Sequence, residues 1–207
     1  MQKQSFGIIP YTYRPYDFPS DFPIYAFLGE NWKTQTHRPK YLHFHNALEI
    51  GHCLEGKGIL YHGNSDSDSY TAGNFSIIFP QVPHIAMALD KPAPWEYLYI
   101  DVKSLLRDKS NEANQLWQVF YMLQRIPFII KEEDSSPIYH YLNRIFWEFH
   151  QKKPYYQDAV LGLLLSFFAE LNRIATNIEF IDTTESQGAF SYVHKALSYI
   201  YDHYNES

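Results

Sequence analysis

Apolar and polar positions change their rhythm once along this chain. Up to about residue 102 they form short runs broken by Gly, Pro, Asn, Asp and Ser; beyond it apolar residues recur every three or four positions. Ile24–Leu28 reads as a first buried strand. Tyr41–Gly56 and Gly58–His62 read as paired strands turning at the Gly56/Gly58 step, as in a hairpin. Asn64–Ser69 reads as a polar turn, Tyr70–Thr71 as a short strand, and Phe75–Phe79 and Ile85–Leu89 as two more strands. In Trp95–Val102 the rings of Trp95, Tyr97 and Tyr99 fall on one face and Leu98, Ile100 and Val102 on the other. Strands this short, with turn signals between them, predict a barrel or jelly roll.

The helical rhythm then predicts a helix over Glu112–Gln124, a short edge strand within Ile126–Ile130 and a helix opening at Asp134-Ser135-Ser136-Pro137. That helix places Ile138, Tyr141, Leu142, Ile145, Phe146 and Phe149 on one stripe and stops at Lys152-Lys153-Pro154. Tyr155–Thr176 is apolar around more than half its circumference, so it needs neighbours on two sides, one of them a second copy of the chain. Asn177–Gly188 reads as a linker and Phe190–Asn205 as a last amphipathic helix. Residues 1–23, dense in Pro and Tyr, read either as an edge strand or as an arm closing over a ligand. The expected fold class is α+β: an N-terminal double-stranded β-barrel followed by an α-helical segment.

Composition narrows the function. The net charge of −6 argues against nucleic-acid binding by this chain alone. No apolar run reaches membrane length and the polar start does not resemble a signal peptide, so a soluble cytoplasmic protein is expected. The single Cys53 excludes an internal disulfide and reads as a small buried hydrophobe. Aromatic residues make up 18% of the chain, which serves a core and a sugar-stacking surface equally.

The candidate chemistry lies between His43 and His84. His43 and His45 share a strand face, Glu49 follows on the same parity, and His84 ends the Pro80–His84 connection. Three imidazoles and a carboxylate suit a divalent metal, a hydrogen-bonded pocket for a polar ligand, or a purely structural cluster. Trp95 and Tyr97, with Tyr99, offer either a stacking wall or core aromatics. Arg38 offers a charged contact to a ligand hydroxyl or carboxylate, or a solvated loop cation. His52 has the opposite parity to Glu49 and reads as a surface or sheet-face residue.

These residues also carry a family resemblance. His43-Phe44-His45, Glu49 and Gly56 match the first cupin motif, HxH-x3-E-x6-G, and Gly73, Pro80 and His84 resemble the second, with Gln81-Val82 where that motif has an internal Gly. Together with the helices, the linker and the closing VHKALSYIYDHYNES, the chain resembles the AraC family of transcriptional regulators. The resemblance implies a cupin-like effector-binding barrel with an arm over residues 1–105, a helical dimerisation segment over 106–180, and over 181–207 a linker and the first helix of a DNA-binding domain cut short before its helix-turn-helix units. It implies a non-enzymatic homodimer that binds a small effector, typically a carbohydrate, inside the barrel, and the candidate contacts there are His43, His45, Glu49, His84, Arg38, Trp95 and Tyr97. DNA would be reached only through the missing domain, no membrane is involved, and no cofactor is expected. The alternative is a metal-dependent cupin enzyme, an isomerase or dioxygenase, with His43, His45, Glu49 and His84 as metal ligands.

Overall fold

The computed structural model describes residues 10–37, 40–62, 66–106, 128–134 and 136–178. The strands are β1 (Tyr11–Tyr13), β2 (Ile24–Thr34), β3 (Leu42–Phe44), β4 (Leu48–Cys53), β5 (Lys57–His62), β6 (Asp66–Thr71), β7 (Phe75–Ile78), β8 (His84–Ala88), β9 (Ala93–Ile100) and β10 (Ile129–Ile130). A single turn, α1 (Val102–Leu105), precedes the two helices α2 (Pro137–Gln151) and α3 (Tyr156–Ile178). The strands form two five-stranded sheets in the orders β1-β3-β8-β5-β6 and β10-β7-β4-β9-β2. The architecture is a cupin-like β-sandwich with C-terminal helices, the expected α+β class.

The long strand expected over Tyr41–Gly56 is two strands. β3 belongs to the first sheet and β4 to the second, with His45–Ala47 crossing between them. The expected β4–β5 hairpin is absent for the same reason. β4 pairs with β7 and β9, whereas β5 pairs with β6 and β8 in the facing sheet. Gly56, at φ 85°, makes a corner between sheets rather than a hairpin turn. The expected polar turn is also corrected, because Asp66–Ser69 runs as part of β6. β6 is a sheet edge with mostly exposed side chains, so it shows no alternation to read.

Parity along β4, β7 and β9 sorts two layers. Leu48, Ile50, Phe75, Ile77, Leu98 and Ile100 face the helices and join Ile138, Leu142, Ile145, Phe146 and Phe149 of α2 and Val160, Leu164, Phe167 and Leu171 of α3 in the main core. A smaller core of Cys53, Leu60, Tyr70, Ile78, Trp95 and Phe128 fills one end of the space between the sheets. Ser136 caps α2 by accepting a hydrogen bond from the Ile138 amide at 3.2 Å, and Lys152 ends it in a left-handed conformation, φ 44°. The helix expected at Glu112–Gln124, the linker beyond residue 178 and the terminal helix Phe190–Asn205 lie outside the described residues, as does Arg38. Among the described residues no helix is long and apolar enough to cross a membrane.

Candidate functional site

The unfilled end of the sandwich interior is a cavity of about 530 Å³. Its wall is the inward face of β9, Trp95, Tyr97 and Tyr99, joined by Phe27 and Ser76; His43, Glu49 and His84 lie on its floor. The wall follows from parity, since one strand face turned inward delivers every second ring to the same space.

Both sheets contribute to the floor. His43 on β3 stands opposite His84 at the start of β8, their ring centroids 4.3 Å apart. His45 sits in the crossover between β3 and β4, and Glu49 on β4. The continuous strand invoked for the shared parity of His45 and Glu49 is therefore broken, yet the turn still joins them. The His45 imidazole lies 2.9 Å from Glu49 Oε2 and that of His84 3.2 Å from the same oxygen, each through Nε2. One ligand atom from each of His43, His45, Glu49 and His84 falls within 4.8 Å of all the others.

The other ring nitrogens determine the protonation. His45 Nδ1 faces the Ala47 carbonyl at 3.1 Å and His84 Nδ1 the Val82 carbonyl at 2.9 Å. A carbonyl oxygen only accepts, so both Nδ1 atoms carry hydrogen and donate. Both Nε2 atoms then meet a carboxylate oxygen, a geometry completed by a second proton on each ring or by a cation between them. Burial alone would raise the Glu49 carboxyl. The charge of His84 and hydrogen bonds from His45 and His84 outweigh it and hold Glu49 well below the usual range, ionised. His43 is pushed down to about 3 by burial and by the neighbouring His84, so its ring is neutral. Its Nδ1 is buried without a hydrogen-bond partner among the described residues. Burial, followed by the Glu49 charge, raises the Tyr97 and Tyr99 hydroxyls far enough to keep both protonated.

The N-terminal segment takes the edge-strand form expected of it. β1 adds a parallel edge strand to β3, and Arg14 and Tyr16 beyond it line the cavity. Tyr16 donates its backbone N–H to Asn46 Oδ1 at 2.9 Å and accepts from Asn46 Nδ2 at 3.0 Å. Its ring stacks on Tyr99 and meets His45 edge-on. Tyr16 and Arg14 thus join the lining, as do Lys33, Lys40 and Tyr41. Nothing in the periodicity of a proline-rich segment marks these contacts.

The AraC-like ligand binding domain profile matches residues 24–167, well over half of the chain. The chain belongs to this family. No curated protein matches it. Among solved structures, this AraC-like domain is similar to a cupin 2 conserved barrel domain protein from Salinispora arenicola, with 15% identity over 46% of this chain and 90% of that one and a TM-score of 0.32. It is similar to a cupin protein from Bacteroides fragilis, with 22% identity, coverage of 38% and 63%, and a TM-score of 0.29. The oxalate decarboxylase of Bacillus subtilis also matches, with 22% identity over 29% of this chain and a TM-score of 0.27; the match spans 17% of that enzyme's length.

A further polar group of the AraC-like domain lies outside the cavity. Glu96, on the helix-facing side of β9 and 1% exposed, accepts from the Gly29 amide at 2.7 Å and pairs with His150 Nε2 of α2 at 2.9 Å. His52 Nδ1 lies 3.9 Å from the same carboxylate, and its ring stacks on Phe75. The sheet-face position expected for His52 is correct, but that face is covered by α2. A carboxylate at an apolar parity position of β9 is the one sequence signal of this arrangement.

Proposed function

We propose that this domain senses a small hydroxylated molecule, a carbohydrate, and is the effector-binding and dimerisation region of an AraC-type transcriptional regulator. The cavity carries this reading: aromatic faces on one wall, histidines and a carboxylate on the floor, and a tyrosine laid over both. Aromatic faces pack against the C–H faces of sugar rings, and imidazole and carboxylate groups hydrogen-bond hydroxyls in a fixed orientation. In this reading His43, Glu49, His84, Trp95 and Tyr97 contact the effector, His45, fully buried behind the lining, acts through Glu49, and Arg38 is proposed as a further contact on its place in the sequence alone. An effector that touches Tyr16 favours the closed arrangement of the arm over the open one. The helices pair two chains and relay the change to a DNA-binding segment.

A thermal-shift screen against sugars and sugar phosphates tests the proposal. A ligand present at 100 times its dissociation constant stabilises by about 2.7 kcal/mol, a rise of roughly 5–10 °C for a domain this large. Tyr97→Ala should remove the shift. The absence of a shift from every compound would defeat the effector reading. Light scattering tests the pairing: a homodimer is expected at tens of micromolar, and a monomer would defeat it.

One observation favours a second reading, a metal-dependent cupin enzyme. The donor atoms lie within 4.8 Å of one another, with two Nδ1 atoms tied to carbonyls as ligating histidines usually are, so His43, His45, Glu49 and His84 fit a divalent ion. Such an ion would supply Lewis acidity. Elemental analysis of protein purified without chelator decides: one ion per chain supports this reading, and a small fraction of one defeats it.

A further inference from the structure

We infer that the effector is an anion, a sugar acid or a sugar phosphate, whose charged group sits at the cavity mouth among Arg14, Lys33 and Lys40. The inference rests on the reading of the cavity as a site for a hydroxylated effector, and the experiment below separates the two.

The observation is a reversal of charge. The chain has 23 acidic and 17 basic residues, so a lining drawn without bias would carry more carboxylates than cations. Among the described residues the cavity lining contains Arg14, Lys33 and Lys40 but a single carboxylate, Glu49. Their depths differ as well. Glu49 is 4% exposed and held by His45 and His84, so its charge is spent inside the floor. The three cations are exposed and stand at the mouth. They come from separate stretches: Arg14 after β1, Lys33 near the end of β2 and Lys40 just before β3.

Exposed cations of an acidic protein ordinarily find carboxylates, and two lysines away from the cavity do: Lys57 lies 3.0 Å from Asp90 and Lys91 3.1 Å from Glu55. Lys33 and Lys40 have no carboxylate partner among the described residues. Arg14 donates to the Tyr41 hydroxyl at 3.1 Å, which holds the guanidinium at the rim without neutralising it. Cations without carboxylate partners that line one concave opening add to a positive potential there and draw anions in. A neutral sugar has no use for it. The ligand class that satisfies both ends has hydroxyls for the floor and a carboxylate or phosphate for the rim.

The test uses the full chain, with thermal shift and isothermal titration against glucose, glucuronate, glucose 6-phosphate, galactose, galacturonate, galactose 6-phosphate and inorganic phosphate. The expected result is binding by at least one charged sugar and not by its neutral parent, weakened by added salt. Lys33→Gln and Lys40→Gln should each weaken it by up to about fivefold, and the double variant by about tenfold or more. Both lysines are exposed, so the variants should fold; Lys57→Gln removes a charge elsewhere and should change nothing. Equal binding of neutral and charged sugars, or charged-sugar binding indifferent to the double variant, overturns the anion inference and leaves the hydroxylated-effector reading standing. Binding of inorganic phosphate with no sugar derivative binding better overturns the sugar part of the inference together with that reading. Binding of no probe overturns both.

Discussion

The ring of Tyr16 lies against that of Tyr99 with centroids 4.5 Å apart and planes inclined by 28°. One partner belongs to the N-terminal segment and the other to the cavity wall, so whatever moves the wall ring is felt by the segment. Stacked pairs of this kind contribute roughly 0.5–1.5 kcal/mol beyond the area they bury. Tyr16→Ala should release residues 10–18 locally without unfolding the sandwich, because the Asn46 bonds to the Tyr16 backbone do not replace the lost ring. Limited chymotrypsin digestion should cut within this segment several-fold faster in Tyr16→Ala than in the parent or in Tyr16→Phe. A bound effector should slow cleavage of the parent alone.

Acid should destabilise the domain in two steps. The His43 pKa falls from 6.5 to about 3 on folding, so between these values the unfolded chain holds a proton that the native state refuses. Stability is complete above pH 6.5 and declines below it by up to about 1.4 kcal/mol per pH unit from this group. Glu49, held well below its ordinary 4.5, adds a loss of the same sign below that pH. Denaturation midpoints measured from pH 7 to 4 should show a shallower decline between 6.5 and 4.5 in His43→Gln. The decline should not vanish, because burial lowers His52 as well.

Glu96 ties the second sheet to α2. Glu96→Ala would leave the half-buried Gly29 amide without its acceptor and His150 without its partner, at a cost of about 2 kcal/mol in urea unfolding. Glu96→Gln keeps an oxygen for Gly29 and should cost about 1 kcal/mol. His150 is 46% exposed on its side chain, so His150→Ala should fall between the two.

Two glycines differ in what surrounds them. A Cβ on Gly58 would strike the backbone carbonyl of Met87 and the Tyr70 hydroxyl, neither of which can retreat without moving a strand or the buried ring. A Cβ on Gly51 would strike the Ser76 hydroxyl and approach the Trp95 ring to 3.0 Å. Gly58→Ala should therefore cost about 3 kcal/mol or more, and Gly51→Ala less, because a serine rotates out of the way. Thermal melts of the two variants give the ranking.

The floor residues were legible because motif spacing survives the break in the strand: the turn at His45–Ala47 exchanges one sheet for the other while keeping the side chains converging. The exchange itself was not legible, since Gly56 and Gly58 suit a hairpin as well as a corner. The departure at Gln81 has a local meaning. Gln81 takes φ 66°, the left-handed conformation natural to glycine, and its amide bonds to the His45 carbonyl at 2.8 Å. Asp66–Ser69 of β6 reads as a turn because an edge strand with mostly exposed side chains has no apolar period, whereas its end at Tyr70–Thr71 reads as strand. Glu96, His52 and His150 come together only through the packing of α2, whose His150 lies 54 positions after Glu96, a separation no local window of sequence spans.

The division of apolar packing into two bodies has a consequence for how such domains diversify. The larger body lies between the second sheet and the helices, and the hollow lies on that sheet's opposite face. Replacing a side chain that points into the hollow therefore leaves the bulk of the folding free energy untouched. The lining of the hollow can drift while the scaffold beneath it stays intact.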